Sequence, residues 1–353
     1  MTDYAVGWDI GGAHIKMAVL SAQKIHTVYQ HPCPLWQGLS KLDFAVTALL
    51  EKLPKNAPLR HGFTMTGELV DLFDHRHDGV AQIIAAMQRL IGGDELVVFC
   101  GEKGLHAVRD VTRADYEAIA SANWLASSTL AAMTLKNGLF VDIGSTTTDI
   151  LLFESGEVRV LGQSDYTRLI SQEVIYTGIV RTAVMAVVQQ VVDNGQNVGV
   201  MAEYFATMAD VYRLTGELCE THDQTPTADG AEKTVNASAR RLSRMVGADF
   251  ETKDLQRWQG VAQYIRSAQQ ARIANACTVQ LARQLSSSPL PLIGAGVGRF
   301  LVKEIAEMLN CPYIDFSTLL ECNETASVGD FSPADCAPAV AVAALLTLRH
   351  AVR

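Results

Sequence analysis

The sequence predicts an α/β fold in which one βββαβαβα unit is used twice, the second copy interrupted by a helical insertion. Three observations lead there. A strand–turn–strand motif with an acid and a glycine at its turn is written twice. The elements that follow each copy come in the same order. A helix-rich stretch of about 163–289 separates the third and fourth strands of the second copy. The first motif reads Val6-Gly7-Trp8-Asp9-Ile10-Gly11-Gly12-Ala13-His14-Ile15-Lys16 and runs into Met17–Leu20. The second reads Phe140-Val141-Asp142-Ile143-Gly144-Ser145-Thr146-Thr147-Thr148-Asp149 and runs into Ile150–Phe153. Repeats define architecture before any single residue does, and these two imply half-domains that each aim an Asp and a small-residue turn at one shared cleft.

The first lobe, residues 1–137, is expected to hold strands near 4–10, 14–20 and 24–30, then a helix from about Leu39 to Leu53. A strand ending at Thr64, a helix from about Val80 to Ile91 and the strand Leu96–Phe99 follow. Helical sequence from Ala114 to about Lys136, broken near Asn123, closes the lobe. The second lobe, residues 138–353, begins with strands near 138–143, 148–153 and 157–162. It resumes with the strand Leu290–Ile293, a helix Arg299–Leu309, a short strand Pro312–Ile314 and a last helix of about Asp335–His350. Inside the insertion, helices are expected over Thr182–Asp193, Glu203–Cys219, Lys233–Met245 and Leu255–Leu285, with Glu220–Gly230 as a loop on turn chemistry. An insertion into a duplicated core is a natural place for substrate specificity.

At 353 residues the chain can build two lobes with real cores. Hydrophobic content of 48% against 19% charged is that of a globular chain. The net charge of −9 with no basic run speaks against non-specific nucleic-acid binding. Apolar stretches such as Ala337–Leu348 are too short to span a bilayer, and the N-terminus enters a strand with no signal-peptide pattern. The expectation is a soluble cytoplasmic protein with small-molecule partners, no membrane and no nucleic acid; a homo-oligomer is compatible with it. Seven cysteines, none in a CxxC pair, read as reduced thiols rather than a zinc site.

The turns carry the chemistry. A glycine-rich hairpin lets backbone N–H groups converge on an anion, and Ser145, Thr146 and Thr147 add hydroxyls. Asp9 and Asp142 end buried strands, where a carboxylate is costly unless it holds hydrated Mg²⁺ or acts as a base. Lys16 stands 133 residues before Asp149, as Asp9 does before Asp142. A third turn, Gly294-Ala295-Gly296-Val297-Gly298, follows a strand and opens a helix, a context that suits phosphate or simply tight packing. His75 and His77 lack a third ligand and read as a solvated turn. Arg240, Arg241 and Arg244 read as a solvated helix face.

These three turns resemble those of the superfamily of actin, sugar kinases and heat-shock chaperones, whose two ribonuclease-H-like lobes close a central cleft on ATP and Mg²⁺. A narrower resemblance spans nearly the whole chain. Met65-Thr66-Gly67-Glu68-Leu69-Val70-Asp71-Leu72-Phe73, Ala122-Asn123-Trp124-Leu125-Ala126, Asp142–Asp149, Tyr176-Thr177-Gly178 with Arg181-Thr182, and Ala228-Asp229-Gly230 are similar, in this order, to the hydantoinase/oxoprolinase-like branch linked to tetrahydromethanopterin one-carbon transfer. That resemblance implies a transferase of methanofuran- or methylofuran-type cofactor synthesis. It would join an aminomethyl-furan methyl diphosphate to the phenol oxygen of tyramine or γ-glutamyltyramine and release diphosphate. Mg²⁺ is the implied cofactor; ATP fits the wider superfamily but is not required.

The roles that follow are expectations. Asp9 and Asp142 hold metal or metal-bound water. Gly11, Gly12, Gly144, Ser145, Thr146 and Thr147 cradle diphosphate, with Gly294 and Gly296 on the other side. Lys16 supplies counter-charge or points to solvent. Asp149 is a base or caps its turn. Glu68 and Asp71 hold the ammonium, or only open a helix. Arg181 binds a carboxylate or makes a structural ion pair. Thr177, Asn123 and Trp124 line the substrate site, although such a tryptophan is often core. The alternatives are an ATP-dependent small-molecule kinase or hydantoinase/oxoprolinase-like enzyme, and a nucleotide-binding scaffold.

Overall fold

The structure, a computed structural model, describes residues 3–55, 57–92, 95–323 and 331–351. Strands β1 (Tyr4–Ile10), β2 (His14–Ser21) and β3 (Lys24–Pro32) form an antiparallel meander. Helix α1 (Leu39–Leu50) leads to β4 (Leu59–Met65), parallel to β1, and α2 (Arg76–Ile91) leads to β5 (Leu96–Phe99), parallel to β4. Strand β6 (Leu105–Ala107) adds an antiparallel edge, and α3 (Tyr116–Ile119) and α4 (Asn123–Leu135) follow. The second copy opens with β7 (Gly138–Ile143), β8 (Thr148–Glu154) and β9 (Glu157–Val158). Then come α5 (Asp165–Ser171), β10 (Val174–Ile175), a hairpin of β11 (Gln190–Asp193) and β12 (Gln196–Gly199), and helices α6 (Met208–Thr215), α7 (Val235–Arg244) and α8 (Leu255–Leu281). Strand β13 (Leu292–Ala295), α9 (Arg299–Met308), β14 (Tyr313–Asp315) and α10 (Ala337–Ala351) complete the chain.

The sheets carry the duplication. The first runs β3-β2-β1-β4-β5-β6; the second runs β10-β8-β7-β13-β14 with β9 also paired to β8. In both, the first strand of the copy lies between its hairpin partner and the fourth strand. The expected two-copy α/β architecture is therefore the observed one.

Contacts divide the chain into two compact units, each assembled from separate stretches. One comprises Met1–Phe140, Leu151–Arg168 and Ile314–Arg353; the other comprises Val141–Ile150 and Leu169–Tyr313. This division departs from a single cut after residue 137, because α10 packs on β1, β2 and β4 of the first sheet. The sequence explains that docking. Trp8, Ile10, Ile15, Met17, Phe63 and Met65 fill one face of the sheet, so by strand alternation Gly7 and Gly62 lie on the other. A Cβ on Gly7 would stand 2.1 Å from Ala339 O and 2.5 Å from Ala343 N, backbone atoms that cannot swing aside. Gly7→Val should cost at least about 1–3 kcal/mol of stability by overpacking, read as a lower urea midpoint; an unchanged midpoint would refute this account of the α10 contact. Asp9 falls on the same face as Gly7, one step beyond the helix contact.

Several local expectations change. Residues 182–193 are not a helix. They form a short turn at Val184–Ala186 and then β11, because Val191-Val192 leads into Asn194-Gly195, both at positive φ (49° and 77°), the signature of a two-residue hairpin. Helix α6 starts at Met208 rather than 203, where Thr207 and Asp210 form a capping box, and stops at Gly216 in the left-handed region. Helix α2 starts at Arg76, so His77 and Asp78 are helical. The third strand of the second copy shrinks to Glu157–Val158. Arg241 is not on a solvated face: it is fully buried and bonds Asp210 through Nε (2.8 Å) and Nη2 (2.7 Å). Among the described residues, no helix is long and apolar enough to cross a membrane.

Candidate functional site

The first unit presents the β1–β2 hairpin. Gly11 N donates to His14 O at 3.0 Å and closes the turn. Three of the turn's carbonyls are committed: Ile10 O accepts from Thr66 N (2.9 Å), Gly12 O from Leu35 N (3.0 Å) and Ala13 O from Cys33 N (2.8 Å). The amides of Gly12 and Ala13 donate to nothing among the described residues. Capping the carbonyls while sparing the N–H groups gives the turn a net positive face. Asp9 is buried at the end of β1, with Lys16 of β2 and Thr64 of β4 as its register partners on either side. The Thr64 hydroxyl is buried without a hydrogen-bond partner among the described residues, an observation that suits a ligand or hydrated ion beside Asp9.

The second unit repeats this design at the same spacing. Gly144 N donates to Thr147 O at 2.9 Å. Gly144 O accepts from Ile179 N (3.1 Å), and Ser145 O accepts from Val180 N (3.1 Å) and Arg181 N (2.8 Å). Thr182 Oγ1 donates to Thr146 O at 3.4 Å. The amides of Ser145, Thr146 and Thr147 make no hydrogen bond among the described residues. Gly178 makes the clamp feasible, since a Cβ there would stand 2.4 Å from Thr146 N and 2.6 Å from Gly144 O. Arg181 Nη1 lies 3.4 Å from Thr146 Oγ1, so a guanidinium joins the positive face.

The third turn completes this half. Gly296, at φ 77°, lies against Asp142: a Cβ there would stand 2.2 Å from Asp142 Oδ1 and 2.3 Å from Ile143 O. Gly298 N donates to Ile143 O at 2.8 Å, and α9 starts at the next residue. Gly294 has a packing role, its open face covered by the Tyr313 ring at 2.7 Å from where a Cβ would be. Asp142 and Asp149 are both half-buried.

Other expected site residues are scattered. Glu68 is 1% exposed, accepts from Ser121 Oγ at 2.7 Å, and keeps Oε2 without a partner. Burial raises its pKa above the usual carboxylate range, against the lowering effect of the Ser121 bond and the Arg76 charge. Ser121 also approaches Asp165 (3.3 Å), which pairs with Arg76 at 2.7 Å. Asp71 is exposed and takes no part in that cluster. Asn123 opens α4 and its Oδ1 accepts from Trp124 N at 2.8 Å, while Trp124 is buried under the Arg168 guanidinium, 3.9 Å away. Thr177 is buried, its hydroxyl accepting from Gln269 Nε2 at 2.6 Å. Burial pushes the Cys33, Cys100 and Cys277 thiols up to about 12, which leaves them unreactive. Sequence reasoning missed Thr64, Ser121 and Asp165, and it gave no role to Gly178, Thr182 or Gln269. The Gly178–Thr182 run was visible as a motif; Gln269 sits in a helix with nothing local to mark it.

Mg²⁺ is bound by one or two carboxylates plus substrate phosphates and retained water, not by a dedicated cage. No group of three or more acidic, His or Cys side chains forms a metal cage among the described residues. A buried Asp9 beside the orphaned Thr64 hydroxyl, and a half-buried Asp142 held against a glycine, fit that sparse mode.

Comparison with known proteins follows the same lines. The profile of the hydantoinase/oxoprolinase family matches residues 60–322. The (4-{4-[2-(γ-L-glutamylamino)ethyl]phenoxymethyl}furan-2-yl)methanamine synthase of Methanocaldococcus jannaschii is 29% identical over 249 residues, 70% of this chain and 72% of its own. The protein of that name from Methanococcus vannielii is 30% identical over 115 residues, 33% of this chain and about half (51%) of its own. Among solved structures, nucleotide-free acetone carboxylase is similar with a TM-score of 0.59 over 97% of this chain and 70% of its own. Its 11% identity makes that a likeness of fold alone.

Proposed function

We infer the reaction from one premise: the chain belongs to the hydantoinase/oxoprolinase family. Its relative of 29% identity is named for a product that contains a phenol joined through oxygen to a furan methylene. We therefore propose an enzyme that forms this aryl–alkyl ether, taking an aminomethyl-furan methyl diphosphate and the phenol of tyramine or γ-glutamyltyramine. The phenol oxygen forms a bond to the methylene carbon. The carbon–oxygen bond to diphosphate breaks, its electron pair leaves with diphosphate, and the phenol proton passes to a base. No oxidant or nucleotide enters the balance.

The observation that carries the reading is the Gly144–Thr147 hairpin, whose carbonyls are committed and whose amides at Ser145, Thr146 and Thr147 are not. Such donors stabilise a departing diphosphate because negative charge grows on it in the transition state. Ser145, Thr146 and Arg181 add hydroxyls and a cation to the same face. Mg²⁺ held through Asp142 in the second unit would neutralise further charge on the leaving group, and Asp9 is the corresponding candidate in the first. Asp149, half-buried one strand from Asp142, is the candidate proton acceptor in the second unit.

Diphosphate release by the purified protein with Mg²⁺, the furan diphosphate and tyramine or γ-glutamyltyramine tests this. The expected result is release that needs both organic substrates, is indifferent to ATP, and falls about 10²–10³-fold in Asp142→Asn, with a similar loss in Asp9→Asn. ADP formation without diphosphate release would instead place the protein among ATP-dependent kinases.

A further inference from the structure

Gln269, midway along α8, is fully buried with its amide completely used. Its Nε2 donates to Thr177 Oγ1 at 2.6 Å and to Gly178 O at 2.9 Å, and its Oε1 accepts from Tyr212 OH of α6 at 2.5 Å. Thr177 O in turn accepts from Thr148 Oγ1 at 2.7 Å, at the first residue of β8 after the turn. The residues that follow Gly178 are those that cap the carbonyls of Gly144, Ser145 and Thr146. An apolar side chain would fill this site without an amide to desolvate, so packing alone does not call for glutamine.

We propose that Gln269 is a positioning residue for the Gly144–Thr147 hairpin: it pins Thr177 and Gly178 so that the turn's carbonyls stay capped and the amides of Ser145, Thr146 and Thr147 stay available to diphosphate. The helical insertion thereby sets the geometry of the leaving-group site. This rests on the reading of that hairpin as the diphosphate site.

Calorimetric titration of the full-length protein with Mg²⁺ and inorganic diphosphate tests it, with thermal melting alongside. Gln269→Leu should weaken diphosphate by at least about tenfold, because buried partners lose their donors and the clamp relaxes. Gln269→Glu keeps an acceptor for Tyr212 but offers at most one donor in place of two, and should weaken it as well. Thr177→Val should lose less, and the double variant should be no weaker than Gln269→Leu, since both cut one link. A Gln269→Leu protein that melts earlier but binds diphosphate like wild type overturns the proposal. If that variant does not accumulate folded, unchanged affinity in Thr177→Val overturns it equally. A wild-type protein that does not bind diphosphate overturns the hairpin reading itself, and the proposal with it.

Discussion

Gly296→Ala should reduce diphosphate release by at least about a hundredfold, the loss expected when a reacting group is displaced by about 1 Å. Two penalties combine at this position. The backbone is at φ 77°, where an L side chain costs about 1–2 kcal/mol. The added Cβ would also stand 2.2 Å from Asp142 Oδ1 and 2.3 Å from Ile143 O. The second atom is backbone and cannot yield without moving the end of β7; the first yields only if the Asp142 carboxylate leaves its place. Either response disturbs the acid assigned to the metal. Gly216→Ala separates the two penalties. Gly216 has φ 78° but open space around its Cβ position, so that variant should lose only the backbone penalty of about 1–2 kcal/mol and keep its turnover. Initial rates with saturating substrates, beside urea midpoints for both variants, decide the matter. Equal activity in Gly296→Ala and Gly216→Ala would remove Asp142 from the site.

What was legible in the sequence was the part written in short range. Asp-Ile-Gly-Gly and Asp-Ile-Gly-Ser fix a hairpin within a few residues, and the structure closes both with the same Gly-to-fourth-residue bond. The sheet order followed because each copy repeats the same alternation of strand and helix. The Asn194-Gly195 turn was equally local and was overlooked in favour of an apolar run that a helix could also have used. What stayed hidden depends on distant partners. Nothing around Arg241 says that Asp210, 31 residues earlier, will bury it, and charge spacing on a helix reads as solvated by default. Gln269 and Thr177 are 92 residues apart. Glu68 looked like a helix-opening acid until the fold placed it, 1% exposed, beside Ser121. The turns of the candidate site were therefore readable, while distant residues such as Gln269 that hold them in shape were not.

Asp210→Ala should be among the most destabilising single changes in the insertion, at about 3–5 kcal/mol. Arg241 is fully buried and Arg213 is 5% exposed. Asp210 Oδ1 receives Nε and Nη2 of Arg241 and Ser238 Oγ at 2.7–2.8 Å, with Arg213 Nη1 at 3.7 Å. Removing the carboxylate leaves these guanidinium groups with less counter-charge than burial demands, and it also removes the acceptor for Thr207 N that caps α6. Asp223 and Asp229 still partner Arg213 and Arg241, so the 220–232 loop that carries them should loosen rather than detach. Because the cluster is buried, the loss should persist at high salt. Lys24→Met, which breaks an exposed 2.7 Å pair with Glu321, should leave the urea midpoint where it is. Helix α6 links this cluster to the hairpin clamp: Met208 N donates to Thr182 O and Ala209 N to Val180 O. Diphosphate affinity should therefore fall together with stability in Asp210→Ala, whereas in Gln269→Leu the affinity should fall further than the midpoint. A urea midpoint near wild type in Asp210→Ala would mean that Asp223, Asp229 and Glu220 compensate the two arginines unaided and that the α6 cap does not depend on Asp210.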